Sequence, residues 1–357
     1  MQLSINERVN LFATLGKILK TYADNNKEKK FREYYSILDN ILPLAEEQNP
    51  WFTQQNILSA LANLGTALQK DKITRWLSYY PELKKSNKKP LTIGVVNAGN
   101  IPFVGFHDFV CILITGHVYY GKLSSKDKEI PGAIRQILVR MEPEIEKYIL
   151  FENETLKKFD AIIATGSDNS SRYFEYYFGK YPNIIRKNRN SIAILTGEET
   201  DKDITKLADD IFLYFGMGCR NISKIYIPHK FSFKHFFQNI NHYEEELKQH
   251  NKYMNNYEYN KAIYLMNQTP HLDNGFLLLK KDEGLSSPVG TLFYEEYTDI
   301  NNFNNKLQMQ KNKLQCIVSN SGEIKDAIDF GTTQTPELWD YADQIDTIKF
   351  LLSLENQ

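Results

Sequence analysis

The sequence is short of several things, and each shortage narrows the field. It has only three cysteines in 357 residues, an odd and sparse set that argues against a disulfide framework and for a reducing compartment, where a thiol stays available for chemistry. It has no excess of charge. Forty-three basic against forty-four acidic side chains leave a formal net charge of -1, so the overall field gives no attraction to nucleic acid or to an anionic membrane. An anionic ligand must then be held by local groups. Long apolar runs are missing too: the longest, around Phe109 to Ile114, is far too short to span a bilayer, and MQLSINERVN lacks the apolar core of a signal peptide. The expectation is a cytoplasmic protein with no nucleic-acid partner and no membrane insertion. Fixed-period repeats are absent, and the Asn-rich pieces NKYMNNYEYN and INNFNNK read as solvated helix and loop.

What is present suits two cores better than one, given the length and an apolar content of 42%. From Ile5 to about Tyr80 apolar residues recur at helical spacing: Val9, Phe12, Leu15 and Ile18, then Leu38, Ile41 and Leu44, then Ile57, Leu61, Leu64 and Leu68. This predicts a helical segment over 1–85. After LKKSNKKP comes LTIGVV, a β-branched run that suits a buried parallel strand. A helix near Val104 to Ile114 leads to a second strand in HVYYGKL, and a helix from Ile130 to Tyr148 leads to a third in AIIAT. Strand alternating with helix predicts a doubly wound sheet. SIAIL from Ser191 is read as its fourth strand, followed by an amphipathic helix from Thr200 that ends at Gly216. The first α/β domain thus covers 86–215. SKIYI, GFLLL, VGTLFYEEY and LQCIVS then mark a second α/β domain over 216–330.

Three of the strands are followed by loops of ligand-binding type. VVNAGNIP places Asn100 where its amide can donate to a developing negative oxygen, beside Gly99, which lets a ligand lie against the backbone. GKLSSKD puts Lys122, Ser124, Ser125 and Lys126 where such a sheet meets the adenosine ribose of a dinucleotide; a carboxylate there would favour NAD, whereas cations and hydroxyls favour the 2′-phosphate of NADP. ATGSDNSS offers Thr165, Gly166 and Ser167 ahead of a helix, a layout for a pyrophosphate. Each also reads as an ordinary turn or helix cap. Cys111 in FVCILI and Cys316 in LQCIVS have apolar neighbours and suit buried packing. Cys219 in GMGCRN differs: small residues precede it and a cation, Arg220, follows and can favour its thiolate. Local composition leaves nucleophile and plain turn cysteine evenly matched.

Taken in order, these motifs resemble the acyl-CoA reductase family, best known from the fatty-acid reductase of bacterial luminescence, within the aldehyde-dehydrogenase superfamily. The superfamily's oxyanion asparagine matches Asn100 in GNIP, its ribose-binding lysine Lys122, its pyrophosphate-binding Thr-Gly-Ser Thr165, Gly166 and Ser167, and its Gly-Gln-x-Cys nucleophile segment Gly216 to Cys219. SSPVGTLFY, with Pro288 and Val289, is similar to the Phe-Gly-Pro-Val segment, and the end from Gly331 resembles the family's end. The resemblance implies a Rossmann-like cofactor domain, with residues 331–357 returning to it and the helical segment packed on it, plus a catalytic domain carrying Cys219. It implies an NADPH-dependent reduction of an acyl-CoA or acyl-carrier thioester to the aldehyde, with NADH as the alternative reductant; a homo-oligomer is compatible with it.

Departures inform as much as matches. Met217 replaces the glutamine before the nucleophile, and Gly99 replaces the tryptophan before the asparagine. The carboxylate expected on the nicotinamide ribose corresponds to Glu283, one position out of register. Aldehyde-oxidising members carry a glutamate that activates the deacylating water, yet Tyr176 to Gly197 contains no Asp or Glu. Without a base, hydrolysis of an acyl-cysteine is disfavoured while exchange with a thiol proceeds. An oxidising dehydrogenase that forms free acid, and a catalytically silent scaffold, are the rival readings.

Overall fold

The computed structural model describes residues 1, 3–84, 89–166, 168–298 and 300–354. The chain divides into two units, Met1–Asn188 with Thr335–Gln357, and Arg189–Gln334.

The first unit begins with helices α1 (Ile5–Ala23), α2 (Arg32–Gln48), α3 (Gln54–Ala67) and α4 (Lys70–Leu77). A capping box fixes the start of α1: the Ser4 side chain accepts from the Glu7 N–H, and the Glu7 carboxylate accepts from the Ser4 N–H. Most of the apolar positions at helical spacing, Phe12, Leu15, Ile18, Leu38, Ile57 and Leu61 among them, are buried in one core with the sheet that follows, but α2 buries Leu38, Leu42 and Ala45 and leaves Leu44 exposed. That sheet is wholly parallel: β1 (Thr92–Val96), β2 (Val118–Lys122), β3 (Ile149–Glu152), β4 (Ala161–Thr165) and β5 (Asn183–Arg186), in spatial order β3-β2-β1-β4-β5. Its crossovers carry α5 (Phe106–Ile114), buried along nearly its whole length, α6 (Glu129–Met141) and α7 (Asp168–Phe178).

The helix expected to run from Ile130 to Tyr148 stops earlier. Pro143 has no N–H to give and biases Glu142 to extended backbone (φ −146°, ψ 93°), so α6 ends at Met141 and a 3-10 turn, Pro143–Tyr148, delivers the edge strand β3.

The second unit holds a mixed sheet of β6 (Asn190–Ile194), β7 (Ile222–Pro228), β8 (His271–Asp273), β9 (Leu278–Lys281), β10 (Thr291–Tyr297) and β11 (Leu314–Val318), in order β11-β6-β7-β10-β9-β8, with only β8 antiparallel. SIAIL therefore does not extend the first sheet: as β6 it pairs with β7 and β11, and the unit boundary falls at Asn188/Arg189 rather than near 215. Its helices are α8 (Asp201–Phe212), with a capping box from Thr200 and Asp203, α9 (Phe233–Ile240), α10 (Glu244–Gln249), α11 (Asn251–Met266) and α12 (Ile300–Gln310).

The last segment belongs to the first unit and ends in α13 (Thr347–Leu354). Trp76 donates to the Tyr341 hydroxyl at 2.8 Å, Tyr80 donates to Asp346 at 2.9 Å, and a ring nitrogen of His107 lies 2.8 Å from the Leu338 carbonyl oxygen. Beneath them Arg186 makes a two-pronged buried ion pair with Asp108 and donates to the Thr347 hydroxyl. Among the described residues no helix is long and apolar enough to cross a membrane.

Candidate active site

In the first unit β1 lies between β2 and β4, and its last residue, Val96, is level with Lys122 on one side and Ala164 on the other. The chain runs outward from β1 through β2 to β3, then returns across β1 to β4 and β5. Such a reversal makes consecutive connections leave on opposite faces and opens a crevice at the carboxyl ends of the strands. The loops carrying Asn100, Lys122 and Thr165 all leave at that edge. The strand order and these loops fit a dinucleotide.

The loop after β1 is nested on the loop after β2. Asn97 donates from its backbone to the Lys122 carbonyl at 3.1 Å and from its side chain to the Tyr119 hydroxyl at 2.8 Å, so this asparagine is a support. Asn100 is half-buried, as are Lys122 and Ser124; Ser125 and Lys126 are exposed. Thr165 ends β4 and, with Gly166, is half-buried, while Ser167 lies outside the described residues.

One residue here was missed by reading the sequence. Asp127 follows the cations directly, but only 5% of it is exposed, so it is not a carboxylate offered to a ribose. Its Oδ2 accepts the Phe103 N–H at 2.6 Å, and its Oδ1 is buried with no hydrogen-bond partner among the described residues. Burial pushes its pKa up to about 7, against the pull of the Phe103 hydrogen bond. The hydrophilic string SSKDK signals a solvated loop, and only the long-range partner reveals otherwise.

The second unit builds the cysteine turn. After α8 the backbone passes through three left-handed residues in a row, Tyr214 (φ 55°), Phe215 (φ 56°) and Gly216 (φ 73°), of which only the glycine adopts this region without a steric cost of about 1–2 kcal/mol per residue. Packing holds the other two: both are buried, and Phe215 stacks on His250 with ring centroids 4.0 Å apart. Asn221, 2% exposed, is the clamp of the turn. Its Nδ2 donates to the Leu213, Asp210 and Ile211 carbonyls at 2.8, 3.1 and 3.4 Å, which are groups a helix end leaves unmet. Its Oδ1 accepts the Gly218 N–H at 2.8 Å, and its own N–H closes on the Gly218 carbonyl at 3.1 Å.

Cys219 sits on this turn, exposed and outside any disulfide; Cys111 and Cys316 are buried. The Cys219 carbonyl accepts from the Ser191 hydroxyl at 2.9 Å, and that same hydroxyl accepts the Cys316 N–H at 3.1 Å. Arg220, expected to serve the Cys219 thiolate, reaches the Cys316 Sγ at 3.2 Å and the Thr333 carbonyl at 3.5 Å. Thr333 is anchored in turn by Asp210, whose carboxylate accepts its N–H and hydroxyl and the Gly331 N–H. Burial lifts the Asp210 pKa to about 6. Glu283 is exposed in the turn after β9.

The acids bordering the stretch that lacks them are Glu175, Glu198 and Glu199. Glu175 pairs with Lys187 at 3.0 Å, and Glu198 is exposed. Glu199 is buried, with one carboxylate oxygen accepting the Thr196 N–H and hydroxyl and the other the Gly197 N–H.

The family model of acyl-CoA reductases (LuxC) matches residues 1–280. No curated protein sequence matches the chain at a significant level. Among solved structures, the chain is similar to an oxidoreductase from Marinobacter aquaeolei (10% identity, TM-score 0.63, 94% of this chain and 79% of that one). It is similar also to an NADP-dependent enzyme from E. coli (11%, TM-score 0.61, 95% and 77%) and to aldehyde dehydrogenase 21 from Physcomitrella patens in complex with succinate (12%, TM-score 0.60, 98% and 88%). At these identities the likeness is one of fold. With more than half of its length matched by the family model, and the aldehyde-dehydrogenase fold beneath, the chain belongs to the acyl-CoA reductase (LuxC) family.

Proposed function

We propose that this reductase converts a fatty acyl thioester to the aldehyde through a covalent acyl-enzyme on Cys219, with NADPH as the reductant, in the cytoplasm. The observation that carries the reading is the contrast among the three cysteines: Cys219 alone is exposed, on a turn that buried Asn221 fixes from both sides. The Cys219 thiolate attacks the thioester carbon and forms a new C–S bond. The carbonyl electron pair moves onto oxygen, where the Asn100 amide and the Cys219 N–H donate to it. Collapse of this adduct expels the CoA thiolate with its bonding pair and leaves the acyl group on Cys219. A bound reduced nicotinamide supplies the hydride that brings the acyl carbon to the aldehyde level. Cys219 then departs as thiolate, ready for another cycle.

Lys122, Ser124, Ser125 and the neighbouring Lys126 would hold the adenosine ribose and a 2′-phosphate. Thr165, Gly166 and Ser167 would hold the pyrophosphate at the start of α7, and Glu283 the nicotinamide ribose. Tyr176 to Gly197 supplies no acid to activate water, Glu199 is occupied by its own turn and Glu175 pairs with Lys187, which favours reduction over hydrolysis. The test is a panel of acyl-CoAs of increasing length assayed with NADPH and with NADH. Aldehyde should form in step with NADPH consumed, and NADH should be the poorer reductant. Oxidation of aldehydes to free acid, with no turnover of any acyl-CoA, would contradict the reading.

A further inference from the structure

We infer that Asp127 is the positioning residue that fixes Asn100 and ties it to the loop read as the ribose site; this rests on the oxyanion role proposed above for Asn100. Asn100 sits in a short span whose two ends rest on the same turn, Ser124–Asp127. At the first end Gly99 lies so close to that turn that a methyl group built on it would stand 2.3 Å from the Ser124 Oγ and 2.5 Å from its Cβ. Only glycine permits this approach.

At the other end Phe103 is held in left-handed backbone, φ 45°, and is 3% exposed. A bulky residue rarely adopts this backbone, and its buried N–H needs an acceptor. Asp127 provides that acceptor at 2.6 Å, from 24 positions along the chain. The turn is itself closed, because the Asp127 N–H donates to the Ser124 carbonyl at 3.1 Å and the Lys126 N–H to the Ser124 hydroxyl at 3.2 Å. Asn100, Ile101 and Pro102 therefore bridge two anchors on one small platform, and the proline narrows their freedom further. Loss of the carboxylate strands the Phe103 N–H, releases Phe103 toward ordinary φ, and carries Asn100 off its line. A displacement of about 1 Å at a catalytic group can cost about a hundredfold in rate. Nothing in this requires charge: an amide oxygen accepts the same N–H, and its NH2 would occupy the side where Oδ1 has no partner among the described residues.

The experiment is single-turnover acylation of the full-length enzyme by acyl-CoA, read by CoA release and intact mass, with thermal unfolding as the control for folding. Asp127→Ala should slow the maximal rate tenfold or more while the half-saturating acyl-CoA concentration moves less than about threefold. Asp127→Asn should recover most of the rate. Gly99→Ala, which disturbs the other anchor, should show the same rate-selective loss and serves if Asp127→Ala folds poorly. In an Asn100→Ala background Asp127→Ala should add little, since there is no amide left to position. A parental rate in both Asp127→Ala and Gly99→Ala would overturn the inference, as would a full-size additional loss on top of Asn100→Ala. If Asn100→Ala alone acylates at the parental rate, the oxyanion role fails and this inference with it; Cys219 labelling by mass then tells that failure from loss of the nucleophile.

Discussion

What separates Cys219 from the other two cysteines is its surroundings. Burial pushes the Cys111 thiol well above the ordinary range, and Cys316 is buried within β11, so neither sulfur is open to a substrate. Cys219→Ala should abolish the mass increase from an acyl group and all reductase activity, while Cys111→Ala and Cys316→Ala keep the labelling; acylation of the Cys219→Ala protein would refute the assignment. The two buried aspartates give a pH prediction. Both Asp127 (to about 7) and Asp210 (to about 6) are raised from 3.8, so the folded state holds protons that the unfolded chain has released. The stability these two groups contribute must fall as pH rises from about 4 to about 7 and level off above it, by an amount of a few kcal/mol at most for each group. Asp127→Asn should flatten part of that slope and raise the unfolding midpoint at pH 8; a variant with the parental slope would contradict it. The contrast in burial between Cys219 and the other two cysteines was legible from their neighbours, whereas local composition left nucleophile and plain turn cysteine evenly matched. Asp127 was not, because its depth depends on an N–H contributed by a different loop.

The turn between α8 and β7 shows what an element demands of one side chain. Asn221 satisfies the Gly218 N–H and three carbonyls at the end of α8 at once, so Asn221→Ala leaves several buried polar groups unmet and should cost about 2–4 kcal/mol in chemical denaturation. Where the protein still folds, acylation of Cys219 should slow as well; unchanged stability would show that the turn holds itself. Elements with a local signal were readable in advance: the apolar spacing of α1 to α4, and the Thr200 start of α8, which forms a capping box. Elements defined by distant pairing were not. β3 and β5 are four residues each, too short for a periodic signal, and nothing local in SIAIL tells which sheet will take it. Three left-handed residues in YFG were equally hidden, since aromatic side chains give no hint of that backbone.

Across the whole molecule, the chemistry follows from what the family shares and what this chain lacks. The fold is that of aldehyde dehydrogenases, yet the stretch from Tyr176 to Gly197 has no acid, and the acids at its borders have other partners or are exposed. A positioned base typically contributes about a hundredfold to ten-thousandfold to hydrolysis, so an acyl-enzyme here should be long-lived toward water and open to thiols. The most direct test mixes the cofactor-free enzyme with a fatty acyl-CoA and follows CoA, free acid and the intact mass together. About one equivalent of CoA should appear per enzyme, the acyl group should remain on Cys219, release should then stall, and NADPH should discharge the adduct as aldehyde. Continuous release of free fatty acid without cofactor, or no acyl adduct at all, would contradict the account.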